Sequence, residues 1–384
     1  MSLRPKVFLA SNVFSPEELG SNEKIDLQTR ERLKNLWDKL NSISDLKTFN
    51  GRFPTQEELK KVILSFDPDI LGCHLSHSIT ANLIKNSNVF AISTSTAGYN
   101  HIDQTLSKDI LITHTPGVLH NTVADYTISL IMANLRNLID LHSYVWSGNW
   151  ELKSKWDLDQ DLSSVITNKV LGIVGLGEIG VELLKRLHPW GLKILYYDIE
   201  RKMDVENKYP TIYFKENLED LFKEADIVSL HMPLNKSTEN LIDKSLLSLM
   251  KRGSLLINTA RGGVLNLEDL LELLEDRKIQ VNFGLDVFPQ EPLDENILTR
   301  IRDLKLEQPD IRIILMPHNA SADASTRGRM VNIFIEDIIK IIESTSIEDL
   351  NEVHVIPEQK QLMTQNKWRI VKYWQKKRSE KNRD

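Results

Sequence analysis

The sequence predicts two doubly wound α/β domains, each a parallel sheet covered by helices, with the second domain inserted into the first. Three observations carry this reading. Short apolar runs alternate with amphipathic stretches in two successive series, as strands joined by helical crossovers do. The second series opens on a glycine-rich turn between a strand and a helix, which suits a doubly wound sheet. A chain of 384 residues also exceeds what one hydrophobic core usually organises.

In chain order, the first series places strands at 7–10, 70–73, 89–93 and 111–113. Between them, 55–66 reads as an amphipathic helix, and Thr55 with Glu58 has capping-box spacing at its start. Residues 121–146 follow as one long, mostly apolar helix that stops at Ser147-Gly148-Asn149. The second series places six strands at 170–174, 193–197, 226–230, 254–257, 281–285 and 311–315. A final helix at 328–343 returns to the first domain. The expected division is therefore 1–119 with 323–355 for one domain, 120–322 for the other, and 356–384 as a basic C-terminal tail.

Composition narrows the function classes. With 41% hydrophobic and 27% charged residues the chain is an ordinary globular protein. A net charge of −6 weighs against a nucleic-acid-binding body. The charge is uneven: 358–384 holds nine Lys/Arg against three acids, so the tail is +6 and the body −12. Trp368, Val371 and Trp374 share one helical face there, and the tail reads as a solvated helical appendage resting on its own acidic body. Cys73 is the only cysteine, so neither an internal disulfide nor a multi-cysteine metal site is available. No apolar run is long enough to span a bilayer, and MSLRPKV turns polar too early for a signal peptide. A cytoplasmic setting without membrane contact is expected.

The strongest local motif runs from Leu171 through Gly175-Leu176-Gly177-Glu178-Ile179-Gly180, after a strand and before a helix. Such glycines allow a tight turn, a close approach to a pyrophosphate and close helix–sheet packing, with the helix N-terminus facing the phosphates. Asp198 ends the next strand, 18 residues past Gly180. A carboxylate there accepts hydrogen bonds from ribose hydroxyls and repels a 2′-phosphate, so NAD is expected over NADP. Arg201 and Lys202 follow it and would partly offset that repulsion.

Three later strand ends carry chargeable residues: Asn258-Thr259-Ala260-Arg261, Asp286 through Glu291-Pro292, and Pro317-His318-Asn319-Ala320-Ser321. Singly, Arg261 reads as a solvated turn residue, Glu291 as a loop acid and His318 as a strand cap. Three complementary residues after three successive strands of one sheet point instead to a site. With Thr96-Ala97-Gly98-Tyr99-Asn100-His101-Ile102-Asp103, His114-Thr115-Pro116-Gly117, Thr122-Val123-Ala124-Asp125 and His231-Met232-Pro233-Leu234, these segments closely resemble the D-isomer-specific 2-hydroxyacid dehydrogenases over about 7–355. The resemblance implies Arg261, Glu291 and His318 as the catalytic set. It implies substrate contacts from the Ala97 and Gly98 backbone; His74, in the segment expected to face the substrate, reads equally as a substrate-side residue and as a core or loop histidine. It also implies cofactor contacts at the glycine turn, Glu178, Ile179, His231, Pro233, Thr259, Ala260, Asp286 and Ala320, besides Arg261 and His318.

The chemistry fits those roles. Reducing a keto acid puts negative charge on the former carbonyl oxygen. His318, kept protonated by Glu291, is a suitable proton donor, and Arg261 offers a permanent planar fork for the substrate carboxylate. Glu291 and Leu119 differ from the glutamine and asparagine of the superfamily's formate dehydrogenases. The segment 72–78 lacks the arginine that phosphoglycerate dehydrogenases use for phosphate. The stretch 147–150 with Trp156 looks most like glyoxylate/hydroxypyruvate reductases. The expected arrangement holds NAD and substrate in a crevice between the domains. It also has a homodimer formed through 121–146, whose Val123, Tyr126, Ile128, Leu130, Ile131 and Leu135 exceed one face, with Trp156 reaching the partner. Two alternatives stay open: an NAD-sensing protein like the related corepressors, and a dehydrogenase for another small acid such as phosphite.

Overall fold

The computed structural model describes residues 4–151, 155, 157–360, 362 and 368–381. The chain forms two compact units, one of residues up to 119 together with those from 322, the other of residues 120–321.

The first unit contains the strands β1 (Lys6–Leu9), β2 (Asp45–Thr48), β3 (Ile70–Cys73), β4 (Ala91–Thr94) and β5 (Leu111–Thr113). They pair in parallel in the order β2-β1-β3-β4-β5. The winding direction reverses between β1 and β3, so the loops after these strands face a switch point. Strands β3 and β4 are buried throughout, as expected where helices cover both faces of a parallel sheet. Strand β2 alternates exposed and half-buried residues and carries the polar sequence Asp-Leu-Lys-Thr. That edge position explains why apolar patterning passes over it.

The second unit adds β6 (Val170–Val174), β7 (Lys193–Tyr197), β8 (Ile212–Phe214), β9 (Ile227–Leu230), β10 (Leu255–Asn258), β11 (Asn282–Leu285) and β12 (Ile313–Leu315). Their order is β12-β11-β10-β9-β6-β7-β8, again all parallel. This sheet has seven strands among the described residues, one more than expected. The addition, β8, is a three-residue edge strand. The reversal falls between β6 and β9, which sets the glycine turn against the His231 loop.

Two further expectations change. Residues 121–146 form two helices, His120–Leu135 and Leu138–Trp146, because Asn137 turns left-handed at φ 52°. Asparagine tolerates that conformation better than most residues. The C-terminal segment is no appendage: Trp368, Ile370, Tyr373 and Trp374 are buried within the first unit's core beside Phe334, Ile338 and Ile342. The helix Arg369–Lys381 therefore belongs to that unit, and Arg369 pairs with Asp109 at 2.7 Å. No helix of the described residues is long and apolar enough to cross a membrane.

Candidate active site

At the switch point of the second sheet, Gly175 adopts φ 95°, and a Cβ there would stand 2.9 Å from the His231 carbonyl carbon. A Cβ on Gly180 would stand 2.3 Å from the Gly175 oxygen, whereas one on Gly177 would meet nothing within 4 Å. The turn is thus closed toward the sheet and open on the Gly177 side, where the helix Glu178–Leu187 begins. That is the shape a pyrophosphate needs. Asp198 takes the Leu176 N–H at 2.8 Å through Oδ2, which fixes it beneath the turn. Its Oδ1 faces Lys202 Nζ at 3.8 Å. Arg201 is held in a two-pronged pair with Glu206, at 2.9 and 2.8 Å. Across the turn, His231 Nε2 meets Ser229 Oγ at 2.8 Å, while the buried Nδ1 has no partner among the described residues. Burial pulls this imidazole's pKa down to about 4. A neutral ring with an unused polar atom suits a dinucleotide cofactor.

The loops after β10, β11 and β12 bring the chargeable residues onto one edge of this sheet. His318 Nδ1 lies 2.6 Å from Glu291 Oε2. Glu291 Oε1 accepts the Phe288 N–H at 3.0 Å, so the carboxylate is held from both sides. Burial would raise the Glu291 carboxyl, but the bonds from His318 and Phe288 keep it below the usual carboxylate range. His318 Nε2 has no partner among the described residues. Arg261 is mostly buried and donates one N–H to the Ala260 carbonyl at 2.7 Å. Burial lowers its pKa, and the Glu291 charge opposes that effect. Gly262 anchors the Arg261 loop: a Cβ there would stand 1.8 Å from the Phe288 carbonyl carbon, so only glycine lets this backbone pass the Glu291 loop. Thr259 Oγ1 contacts Thr127 Oγ1 at 2.9 Å, and the Ala260 N–H donates to Asn258 at 3.0 Å. Pro233 accepts the Thr238 hydroxyl at 2.6 Å, closing the loop after β9.

Asp286 takes a position that sequence patterning does not reveal. It is fully buried and accepts the Asn319 N–H at 2.7 Å and the Ala320 N–H at 2.9 Å, one per oxygen. Burial raises its carboxyl above the ordinary value despite both donors. The two bonds brace a turn in which His318 itself is left-handed at φ 51°. An Asp at a strand end is the visible signal, but its direction toward the turn is not.

In the first unit, Ala97 and Gly98 follow β4. The Ala97 carbonyl takes His114 Nδ1 at 2.7 Å, and the Gly98 carbonyl takes the Thr96 hydroxyl at 2.7 Å. Their N–H groups donate to no other described residue. His74 follows β3 at the switch point and stacks on His77 with centroids 3.8 Å apart, between Phe14 and Phe53. Burial, with His77 adding to it, pushes His74 down to about 3, so the ring is a neutral, aromatic-packed group. Trp156 lies outside the described residues.

A parallel sheet wound in this order, with its glycine turn at the switch point, is the architecture of dinucleotide-dependent oxidoreductases. Residues 128–320 match the family model described as D-isomer specific 2-hydroxyacid dehydrogenase, NAD binding domain. The chain is 37% identical over 319 residues to a glyoxylate reductase of Thermofilum pendens, covering 79% of this chain and 90% of the relative. A glyoxylate reductase of Korarchaeum cryptofilum is also 37% identical, over 73% of this chain and 82% of its own. The crystal structure of a glyoxylate reductase from Paecilomyes thermophila superposes with a TM-score of 0.73 at 25% identity, over 93% of this chain and 99% of that one. The chain belongs to the D-isomer-specific 2-hydroxyacid dehydrogenase family, and its second unit carries the family's NAD-binding domain.

Proposed function

We propose that this oxidoreductase uses NADH to reduce glyoxylate to glycolate or hydroxypyruvate to the D-2-hydroxy acid. The observation that carries the reading is the Glu291–His318 pair at 2.6 Å, fixed by the Phe288 N–H and raised on the same sheet edge as Arg261. When bound, the nicotinamide supplies the hydride. Arg261 holds the substrate carboxylate with the N–H groups it does not spend on Ala260 and polarises the carbonyl. His318 Nε2 hands its proton to the oxygen as negative charge develops there, and Glu291 stabilises the imidazolium beforehand. In the first unit, the N–H groups of Ala97 and Gly98, which donate to no other described residue, are the donors we assign to a keto-acid carboxylate. The test is NADH oxidation with glyoxylate, hydroxypyruvate, pyruvate, and, in reverse, formate and phosphite. Turnover of a 2-keto acid above the other classes supports the assignment. Tight NADH binding without turnover of any of them favours a sensor.

Cofactor choice follows from Asp198. Arg201 is engaged by Glu206 and is not disposed toward a 2′-phosphate, so NADH is used with higher kcat/KM than NADPH. Asp198→Ala narrows that ratio by about tenfold, the size of a charge-assisted hydrogen bond to ribose. An unchanged ratio in steady-state kinetics removes Asp198 from the selectivity.

The assembly proposed is a homodimer, with the face revised. Leu130, Ile131 and Leu135 lie in the second unit's own core, Tyr126 and Ile128 pack against it, and Val123 is buried. The next helix instead exposes Leu138, Ile139, Val145 and Trp146, the last at 83%. Exposed apolar residues this close together mark an interaction surface. Light scattering at micromolar concentration gives twice the chain mass, and Ile139→Glu with Val145→Glu gives the single-chain mass. A monomeric unaltered protein refutes the dimer. The sole cysteine, Cys73, is buried, which accords with a reducing, cytoplasmic setting.

A further inference from the structure

The turn 96–99 is held by more than its own strand. The segment after 352 runs beside β5: Val355 bridges Thr113 in antiparallel sense, the His114 N–H donates to His354 at 3.0 Å, and the Ile356 N–H donates to Ile112 at 3.1 Å. Gln359 rivets it. This residue is fully buried, accepts the Ile112 N–H at 2.8 Å, and donates to the Ser107 and Ile110 carbonyls at 2.9 and 2.7 Å. Next to it, Glu358 takes the Tyr99 hydroxyl at 2.7 and 2.9 Å on its two oxygens. The Tyr99 ring stands edge-on to His114 at 5.4 Å, and His114 is the residue that donates to the Ala97 carbonyl. The turn is therefore gripped at Ala97 from the end of β5 and at Tyr99 from the segment lying beside β5.

A turn whose peptide N–H groups must point at an anion gains from such a grip. Backbone donors bind a carboxylate well only when their direction is set beforehand. None of the donors and acceptors just named need touch substrate. They fix the peptide planes of Ala97 and Gly98 by holding the carbonyl on one side and the neighbouring residue on the other.

We propose that the C-terminal segment 353–360 is a positioning strap for the substrate-carboxylate turn, with Glu358 acting through Tyr99 and His114 acting through the Ala97 carbonyl. This rests on the reading that Ala97 and Gly98 receive the keto-acid carboxylate. Glu358, Tyr99 and His114 are positioning residues.

The test uses the full chain with NADH and compares Tyr99→Phe, Glu358→Ala and Glu358→Gln. Tyr99→Phe keeps the ring against His114 and removes only the hydroxyl. Both Tyr99→Phe and Glu358→Ala raise the KM for glyoxylate about fivefold, the size of one net hydrogen bond, while kcat and NADH affinity stay within twofold. Glu358→Gln recovers most of the affinity, since its amide oxygen still accepts the phenol proton. Oxamate, an unreactive carboxylate analogue, is titrated by calorimetry into each NADH-loaded protein and weakens in the same order. If the unaltered protein turns over glyoxylate and both variants keep its KM and oxamate affinity, the strap has no such role. Equal losses in kcat, NADH binding and thermal stability also overturn it, because they mark a folding effect. If the unaltered protein neither reduces glyoxylate nor binds oxamate, the underlying reading of the turn fails and takes the strap's role with it.

Discussion

Replacing His318 with alanine lowers kcat for keto-acid reduction by on the order of 10²–10⁴-fold, with NADH binding retained. That range is what a positioned general acid commonly contributes. NADH survives the change because the glycine turn and Asp198 stand apart from the β12 loop. The proton donor matters as charge builds on oxygen, so the loss falls on kcat more than on KM. Glu291→Gln acts on the same pair. Nδ1 of His318 loses the carboxylate that fixes the ring, so kcat falls by on the order of tenfold, the size of one charge-assisted hydrogen bond. On the acid side, the bonds from His318 and Phe288 keep Glu291 ionised below the ordinary carboxylate range. The pair therefore persists as pH falls through that range and is lost only beneath it. Steady-state rates from roughly pH 3 to 9 read this acid limb. A His318→Ala protein that reduces glyoxylate at the unaltered rate removes His318 as the acid, and an unchanged kcat in Glu291→Gln removes the pair.

The two doubly wound sheets were legible because apolar runs and parallel burial leave a strong pattern, and the glycine turn was legible because its residue types are dictated by close approach. The edge strands β2 and β8 were not, since an edge strand needs little apolar patterning. The bend at Asn137 was hidden because asparagine also occurs within helices, and only the left-handed φ distinguishes it. At the candidate site, Arg261, Glu291 and His318 stood out as chargeable residues at successive strand ends. What supports them did not. Asp286 braces the His318 turn from below, and Gly262 lets two loops touch. Both depend on distances between segments that one-dimensional spacing does not encode. The basic tail misled for a related reason. Its charge count dominates the sequence view, while burial is decided by the few apolar positions between the charges.

Trp374→Ala therefore destabilises the first unit by about 3–5 kcal/mol, the usual cost of truncating a buried tryptophan. Trp374 is 3% exposed and donates its indole N–H to Ser344 Oγ at 2.9 Å. One turn on, Lys377 Nζ donates to the carbonyls of Ile342, Glu343 and Ser344 at 2.8, 3.0 and 3.2 Å. A cation there also complements the negative end of the helix Ala324–Glu343. Tyr373 stacks on Phe90 with centroids 4.8 Å apart, next to β4. The final helix is thus fastened to the long helix and to the strand that carries Ala97 and Gly98. Losing the indole leaves a cavity that helix and sheet fill only partly, and it frees the Ser344 hydroxyl. The melting transition of the first unit falls by roughly 10 °C for its size. Hydrogen exchange rises in β4 and β5, while β6–β12 stay protected. Lys372→Ala, on the exposed face of the same helix, leaves the transition within about 0.5 kcal/mol of its original value. If Trp374→Ala behaves like Lys372→Ala, the segment is the solvated appendage its charge suggests, and its burial contributes nothing to the fold.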